Sequence, residues 1–149
     1  VGCGPGDQTM LAQELGIDAI GIDGDYTVDR EFDCIIHDFT LGTCSKLYNK
    51  YFDLAWCVEF LEHVEEKYMD NYMDIFTRCK YIICTYAPPQ KKGHHHVNCQ
   101  TEDYWIEKFK GYGMNFDKKI TENIKNASTM KKKLKGPSFM EKTGLVFKA

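Results

Sequence analysis

Residues 1–6, Val-Gly-Cys-Gly-Pro-Gly, are the most informative stretch of this sequence, because three glycines alternate with other residues and a helix-like segment follows. Gly2, Gly4 and Gly6 permit positive φ angles and let a ligand approach the backbone closely at a helix N-terminus. Asp23 ends the next predicted strand, where an acidic side chain can accept hydrogen bonds from the hydroxyls of a ribose. The loop and the acid together predict a nucleoside-binding site.

The spacing of the glycines separates two kinds of nucleoside ligand. The dinucleotide fingerprint is G-x-G-x-x-G, whereas this loop is G-x-G-x-G and has Asp7 where the third glycine would stand. A carboxylate there is unfavourable beside a pyrophosphate, but it is compatible with a ligand that has no phosphate and carries a positive sulfonium. The loop therefore favours an adenosyl sulfonium over NAD, with an NAD-dependent oxidoreductase and a glycine turn that binds nothing as the alternatives.

Short β-rich runs alternate with segments of helical periodicity along the chain, a pattern typical of parallel sheets covered by helices. The predicted strands are residues 19–22, 33–37, 53–57, 81–85 and 144–147. The predicted helices are residues 7–15, 60–76, 101–110 and 120–130. They predict one domain over residues 1–149, an α/β three-layer sandwich with a doubly wound, mostly parallel sheet. Because Val1 leads directly into the glycine loop, we expect the first, central strand to be incomplete at the N-terminus and to continue upstream.

The composition, 43% hydrophobic and 28% charged, is that of a globular protein and excludes a disordered or fibrous one. A net charge of −3 gives no general attraction to nucleic acid, so nucleic acid is not the expected partner. One short basic run contains four lysines, and we interpret it as a solvated loop. Its members are Lys131, Lys132, Lys133 and Lys135.

Seven cysteines form no C-x-x-C pair and lie mostly in apolar runs, as expected for reduced core residues. This usage indicates a cytoplasmic protein and argues against a disulfide scaffold or a cysteine zinc site. No apolar run approaches the length of a membrane span, so we expect a soluble protein without a membrane partner.

Three further motifs accompany the glycine loop in order along the chain. They are Gly21-Ile22-Asp23, His37-Asp38-Phe39 and the stretch at 52–64, Phe-Asp-Leu-Ala-Trp-Cys-Val-Glu-Phe-Leu-Glu-His-Val. The set resembles the class I S-adenosylmethionine-dependent methyltransferases, over residues 1 to about 113. The tail departs from the family pattern, since only residues 143–147 resemble one of the two antiparallel strands with which such domains usually end.

The resemblance implies a Rossmann-like methyltransferase fold with S-adenosylmethionine as cofactor. The implied contacts are Gly2, Cys3, Gly4 and Gly6 with the methionine and ribose portions, Asp23 with the ribose hydroxyls, Asp38 and the backbone of Phe39 with the adenine, and Cys57 and Val58 with the methionine end. All follow predicted parallel strands at their carboxyl ends, where open α/β sheets bind ligands. Asp38 could instead cap a turn and Phe39 could simply pack, whereas Asp53 opens its strand at the opposite edge and is assigned to structure.

Methyl transfer depends mainly on positioning, but an oxygen acceptor benefits from a general base, for which histidine is suited near neutral pH. The candidates are His63, after the third predicted strand, and His94, His95 and His96 in a polar loop after the fourth. His63 could instead hold a helix start, and His37 is expected in the core. Three consecutive histidines rarely direct all their rings at one ion, so no metal is expected.

The sequence thus predicts an enzyme that transfers a methyl group from S-adenosylmethionine to oxygen or nitrogen of an unidentified acceptor, a small molecule or sugar. The segment Ala87-Pro88-Pro89-Gln90 lacks the Asn and Tyr of the motif used by DNA amino-methylases and follows the wrong strand. The alternatives are a non-catalytic S-adenosylmethionine-binding domain of a larger assembly and an NAD-dependent oxidoreductase. The oligomeric state is left open.

Overall fold

The computed structural model describes residues 1–129 and 137–149, so the predicted lysine loop lies outside the described residues. The helices and strands are α1 (Asp7–Glu14), β1 (Gly21–Asp23), β2 (Cys34–Ile36), β3 (Phe52–Cys57), α2 (Met69–Phe76), β4 (Cys79–Cys84), α3 (Glu102–Gly111), β5 (Asn115–Phe116), α4 (Lys118–Ala127), α5 (Phe139–Thr143) and β6 (Leu145–Lys148). Short 3-10 turns occupy Phe39–Leu41, Ser45–Leu47, Leu61–His63 and Glu66–Tyr68.

The strands belong to two sheets. β1 and β2 form a parallel pair, whereas the larger sheet has the order β3-β4-β6-β5, with β3 parallel to β4 and β6 antiparallel to both of its neighbours. The α/β class is therefore confirmed. A single doubly wound sheet in three layers stays a prediction, because the described strands are not hydrogen-bonded into one continuous sheet.

The first residues of the chain lie between the two sheets and join them. The amino group of Val1 donates to the carbonyl of Trp56 in β3 at 2.7 Å, and the amide of Gly2 donates to the carbonyl of Ile22 in β1 at 2.9 Å. Both acceptors are near the carboxyl ends of their strands. The glycine loop therefore leaves from the ligand-binding edge that the sequence predicts.

The core lies between the larger sheet and helices α2 and α3. The ring of Phe109 stacks on Phe147 of β6 with 4.0 Å between centroids and on Phe76 of α2 at 6.0 Å. The helix α3 begins as predicted, since the Thr101 side chain accepts from the amide of Tyr104 and caps it. These buried aromatic contacts fix the sheet and helices that carry the site loops.

The predicted helix over residues 60–76 is wrong in its first half. Only Met69–Phe76 is α-helical, and two 3-10 turns precede it. The carbonyl of Glu62, which would accept the helical bond from residue 66, accepts instead from the amides of Val97 and Asn98 at 2.9 and 3.0 Å. Bonds to a distant segment replace those of the helix at this point.

The C-terminal part contains a second antiparallel strand that the sequence analysis did not find. β5 is two residues long and pairs with β6, so it is too short to show an alternating pattern. The helix predicted at 120–130 is present as Lys118–Ala127, with Asp117 capping it. In the described ranges, 1–129 and 137–149, every helix is too short or too polar to cross a bilayer.

Candidate active site

The three glycines of the loop all have positive φ, at 67° for Gly2, 51° for Gly4 and 106° for Gly6. A Cβ on Gly2 would lie 2.8 Å from the ring of Phe60, and one on Gly6 would lie 1.9 Å from the ring of Phe32. These two glycines are therefore required by the fold itself. Gly4 differs, because an added Cβ would meet nothing within 4 Å and its face is open for a ligand.

Asp23 is held next to the Gly4 amide by contacts with three groups. Its Oδ2 accepts from the amide of Gly4 at 2.8 Å, and its Oδ1 accepts from the amide of Asp25 at 2.8 Å and pairs with the Arg30 guanidinium at 3.1 Å. A carboxylate has about four lone-pair positions, so one position on Oδ2 remains for a ribose hydroxyl, and a second hydroxyl would compete with Arg30 for Oδ1. The side chain is 14% exposed, which keeps it within reach of a ligand.

Arg30 is a site residue that the sequence analysis missed. Besides pairing with Asp23, its Nε donates to the carbonyl of Gly4 at 2.8 Å and its Nη1 donates to the carbonyl of Asp25 at 2.8 Å. A single arginine in a polar connection between two strands has no distinguishing spacing in the sequence. It nevertheless binds the glycine loop to the end of β1 and sets the position of Asp23.

Asp38 and Phe39 follow β2 and lie next to the end of β1. A Cβ on Gly24 would be 3.4 Å from the Cα of Asp38, so the two strand ends are in contact. The Asp38 carboxylate accepts from the amide of Thr40 at 2.8 Å and caps a 3-10 turn, and its side chain remains exposed. The ring of Phe39 is buried against Phe60 and belongs to the core, so only its backbone could contact a base.

Cys57 and Val58 lie at the end of β3, but the Cys57 side chain points into the core. It is fully buried, and burial raises the pKa of its thiol to about 12. A ligand at this strand end would meet the backbone and the half-buried Val58 instead. Cys3 of the glycine loop has its Sγ 3.3 Å from the Sγ of Cys34, and burial, the contact with Cys34 and the nearby Asp23 charge raise its pKa to about 12.

Two glutamates next to β3 form a carboxylate pair that the sequence analysis did not single out. The chain turns at Glu59, which has φ 53°, and its carboxylate accepts from the buried hydroxyl of Thr85 at 2.9 Å. Glu62 is fully buried, and neither of its carboxyl oxygens has a hydrogen-bond partner among the described residues. Burial, together with the neighbouring Glu59 carboxyl, raises the pKa of Glu62 to about 7.

His63 and His96 lie beside Glu62. One ligand atom from each of the three side chains can be chosen so that all lie within 4.8 Å of one another. The two rings meet edge to face at 5.1 Å between centroids, and burial lowers the pKa of His63. The sequence analysis predicted both histidines at the site, but it did not predict their contact with a buried carboxyl.

The loop histidines separate in the structure. His94 and His95 are exposed and lie outside the cluster, and the contribution of His95 is its carbonyl, which bonds to Nδ1 of His63 at 3.2 Å. The His63 side chain is therefore hydrogen-bonded to the loop rather than to the start of a helix. His37, expected in the core, has a ring nitrogen 2.9 Å from the carbonyl of Gly42 and lies against Phe39.

No protein-family model and no curated protein matches the sequence. Two solved structures share the fold. A structure of LepI in complex with SAM has a TM-score of 0.56 and 12% identity, and the match covers 99% of this chain and 41% of that one. A protein described as a pericyclic reaction enzyme has a TM-score of 0.52 and 13% identity, with 78% of this chain and 37% of that one covered. The chain thus spans about two fifths of the length of these enzymes and shares their α/β fold.

Proposed function

We propose that this chain binds S-adenosylmethionine at the glycine loop and transfers its methyl group to an oxygen or nitrogen of a small-molecule acceptor. The observation that carries the proposal is the open face of Gly4, whose amide also holds the carboxylate of Asp23. Both lie at the carboxyl edge of parallel strands, where ligands bind in this class of fold. LepI, which shares the fold, was solved in complex with SAM.

The charges around the loop support a sulfonium ligand rather than a dinucleotide. Asp7 occupies the first turn of α1, and Asp23 and Asp38 lie at the adjoining strand ends. Arg30, which contacts the loop, is already paired with Asp23 and the carbonyl of Gly4. A pyrophosphate would meet acidic groups at the helix N-terminus, whereas a positive sulfonium without phosphates is attracted by them.

The acceptor is proposed to lie at the ends of β3 and β4, beyond the methionine end of the cofactor. Here His63 and the loop containing His94, His95 and His96 adjoin the strand ends, so an imidazole is available to act on an acceptor hydroxyl or amine. In-line attack on the methyl group requires the nucleophile on this side. We therefore propose these histidines as the groups that act on the acceptor.

Calorimetric titration of the full chain with S-adenosylmethionine, S-adenosylhomocysteine and NAD tests the cofactor. We expect the two adenosyl ligands to bind and NAD not to bind. Asp23→Asn, which keeps the shape of the side chain, should weaken binding by about 1.5 to 3 kcal/mol because charge-assisted hydrogen bonds to the ribose are lost.

Asp53→Asn is the matched control, because Asp53 lies at the other end of β3 in an exposed pair with Lys80. It should leave cofactor affinity unchanged, and thermal unfolding of both variants verifies that they are folded. Binding of NAD without binding of S-adenosylhomocysteine would show that the oxidoreductase alternative is correct. Equal affinities of wild type and Asp23→Asn would remove Asp23 from the site.

A further inference from the structure

We infer that Glu62, His63 and His96 bind a divalent first-row transition metal ion such as Zn²⁺. One ligand atom from each of the three lies within 4.8 Å of the others. Around a common ion with bonds of about 2.1 Å, tetrahedral ligand atoms are about 3.4 Å apart. The three ligand atoms would therefore move closer together when the ion binds.

The buried carboxyl of Glu62 is the observation that independently points to a ligand. It is fully inaccessible to solvent, and in the described part of the chain neither oxygen has a partner within hydrogen-bond distance, since the side chain that interacts with it is another carboxyl, that of Glu59. Buried carboxylates are normally paired, hydrogen-bonded or bound to a metal. A cation held between Glu62 and the two imidazoles supplies the missing partner.

Each of the two histidines has a backbone carbonyl as an outer contact. Nδ1 of His63 is 3.2 Å from the carbonyl of His95, and Nδ1 of His96 is 3.0 Å from the carbonyl of Lys91. A carbonyl only accepts, so each Nδ1 carries the proton and each Nε2 keeps its lone pair. A backbone carbonyl that fixes the tautomer in this way is the usual outer contact of a metal-binding histidine.

The surrounding backbone preserves the position of these groups. The carbonyl of Glu62 accepts from the amides of Val97 and Asn98, which holds the loop against the 3-10 turn at Leu61–His63. Gly93 has no side chain at the point where a Cβ would lie 2.2 Å from Nε2 of His96. Any larger residue there would displace the His96 ring from this position.

The residue types select the class of ion. Two imidazoles and a carboxylate match Zn²⁺ and related divalent transition ions better than Mg²⁺ or Ca²⁺, which prefer oxygen ligands throughout. Three protein ligands leave a position for water or for a substrate oxygen, so that His63 and His96, once bound to the ion, would act on the acceptor through it rather than as free bases. Three consecutive histidines do not predict a metal site, but the structure combines only one of them with Glu62 and His63.

The site is tested with the full chain stripped of metal and titrated with Zn²⁺ by calorimetry and with Co²⁺ by visible absorption. We expect one ion per chain and a cobalt spectrum without a thiolate charge-transfer band. Glu62→Gln and His96→Ala should each weaken Zn²⁺ binding by about 10- to 100-fold or more. Zn²⁺ should raise the unfolding midpoint of the wild type but not that of Glu62→Gln.

Two control variants separate this site from its neighbours. His94→Ala removes an exposed imidazole from the same loop and should leave affinity within about twofold of the wild type. Cys99→Ser removes the thiol whose Sγ is 3.7 Å from Nδ1 of His96, and it should also leave Zn²⁺ affinity within about twofold of the wild type. Absence of saturable binding, equal affinity of wild type and His96→Ala, or loss of binding in Cys99→Ser would each overturn the assignment. These readouts involve neither cofactor nor acceptor, so their failure is distinct from failure of the proposed methyl transfer.

Discussion

Replacing Gly4 by Ala should abolish most cofactor binding while leaving the chain folded, and Gly16→Ala provides the matched control. Both glycines have positive φ, 51° and 78°, and an added Cβ at either position meets no atom within 4 Å. The substitutions therefore differ little in steric cost within the protein. Each places an alanine in the left-handed region, which lowers the free energy of unfolding by about 1 to 2 kcal/mol.

The two positions differ in their relation to the proposed ligand. Gly4 lies beside Asp23, whereas Gly16 follows the far end of α1, an eight-residue helix about 12 Å long. A methyl group on the open face of Gly4 occupies the volume that the ribose would fill. We expect S-adenosylhomocysteine affinity to fall by at least about tenfold, or 1.4 kcal/mol, in Gly4→Ala and to be unchanged in Gly16→Ala.

Calorimetry gives the affinities, and urea unfolding of both variants gives the backbone cost. Similar stabilities with different affinities would support close approach of the ligand to Gly4. If both variants bind S-adenosylhomocysteine as the wild type does, the open face of Gly4 is not the ribose site. A Gly4→Ala variant that is much less stable than Gly16→Ala would show that the loop is restrained by the protein itself.

Two further predictions concern the adenine and the core. Asp38→Ala should weaken cofactor binding less than Asp23→Asn, because the Asp38 side chain is exposed. The variant should also lose the discrimination between adenosyl and inosyl analogues. A retained preference for adenine would place Asp38 outside the site. The free energy of unfolding should fall above about pH 9, because burial raises the pKa of Cys57 to about 12 and of Cys79 to about 11 in the folded state. This stabilisation is complete below the ordinary thiol pKa and is lost as pH rises toward the folded values, by up to about 1.4 kcal/mol per pH unit for each thiol. Urea unfolding measured across this range checks the slope, and a Cys57→Ala variant with an undiminished slope would contradict the assignment.

Sequence periodicity was sufficient to predict the elements that are long enough to show a pattern between neighbouring residues. β3 and α3 were predicted within about one residue of each end, because strand alternation and a capped amphipathic helix are encoded by neighbouring residues. β5 was not found, since two residues carry no period. The division of the strands into two sheets was also not foreseen, because hydrogen bonding between strands depends on their positions in space rather than on their individual patterns.

The predicted site residues divide in the same way. The glycine loop and Asp23 were found because their spacing is itself the signal, and the structure brings them into contact. Arg30 was missed because its role arises from reaching back 26 residues to the carbonyl of Gly4. The assignment of Asp23 to a ribose and the other cofactor contacts stay predictions.

The wrong half of the predicted helix and the unforeseen cluster have one cause. Residues 60–68 have helical periodicity, but the carbonyl of Glu62 accepts from the backbone amides of Val97 and Asn98. The side-chain amide of Asn98, which is buried, also donates to the carbonyl of Val64 at 3.2 Å. These bonds replace the hydrogen bonds of an α-helix, which therefore begins only at Met69. They also hold the loop that follows β4 against the end of β3. Because they join residues more than 30 positions apart, no local pattern encodes them. The same contacts bring His96 to Glu62 and His63, so the departure from the helix is the structural feature that assembles the site.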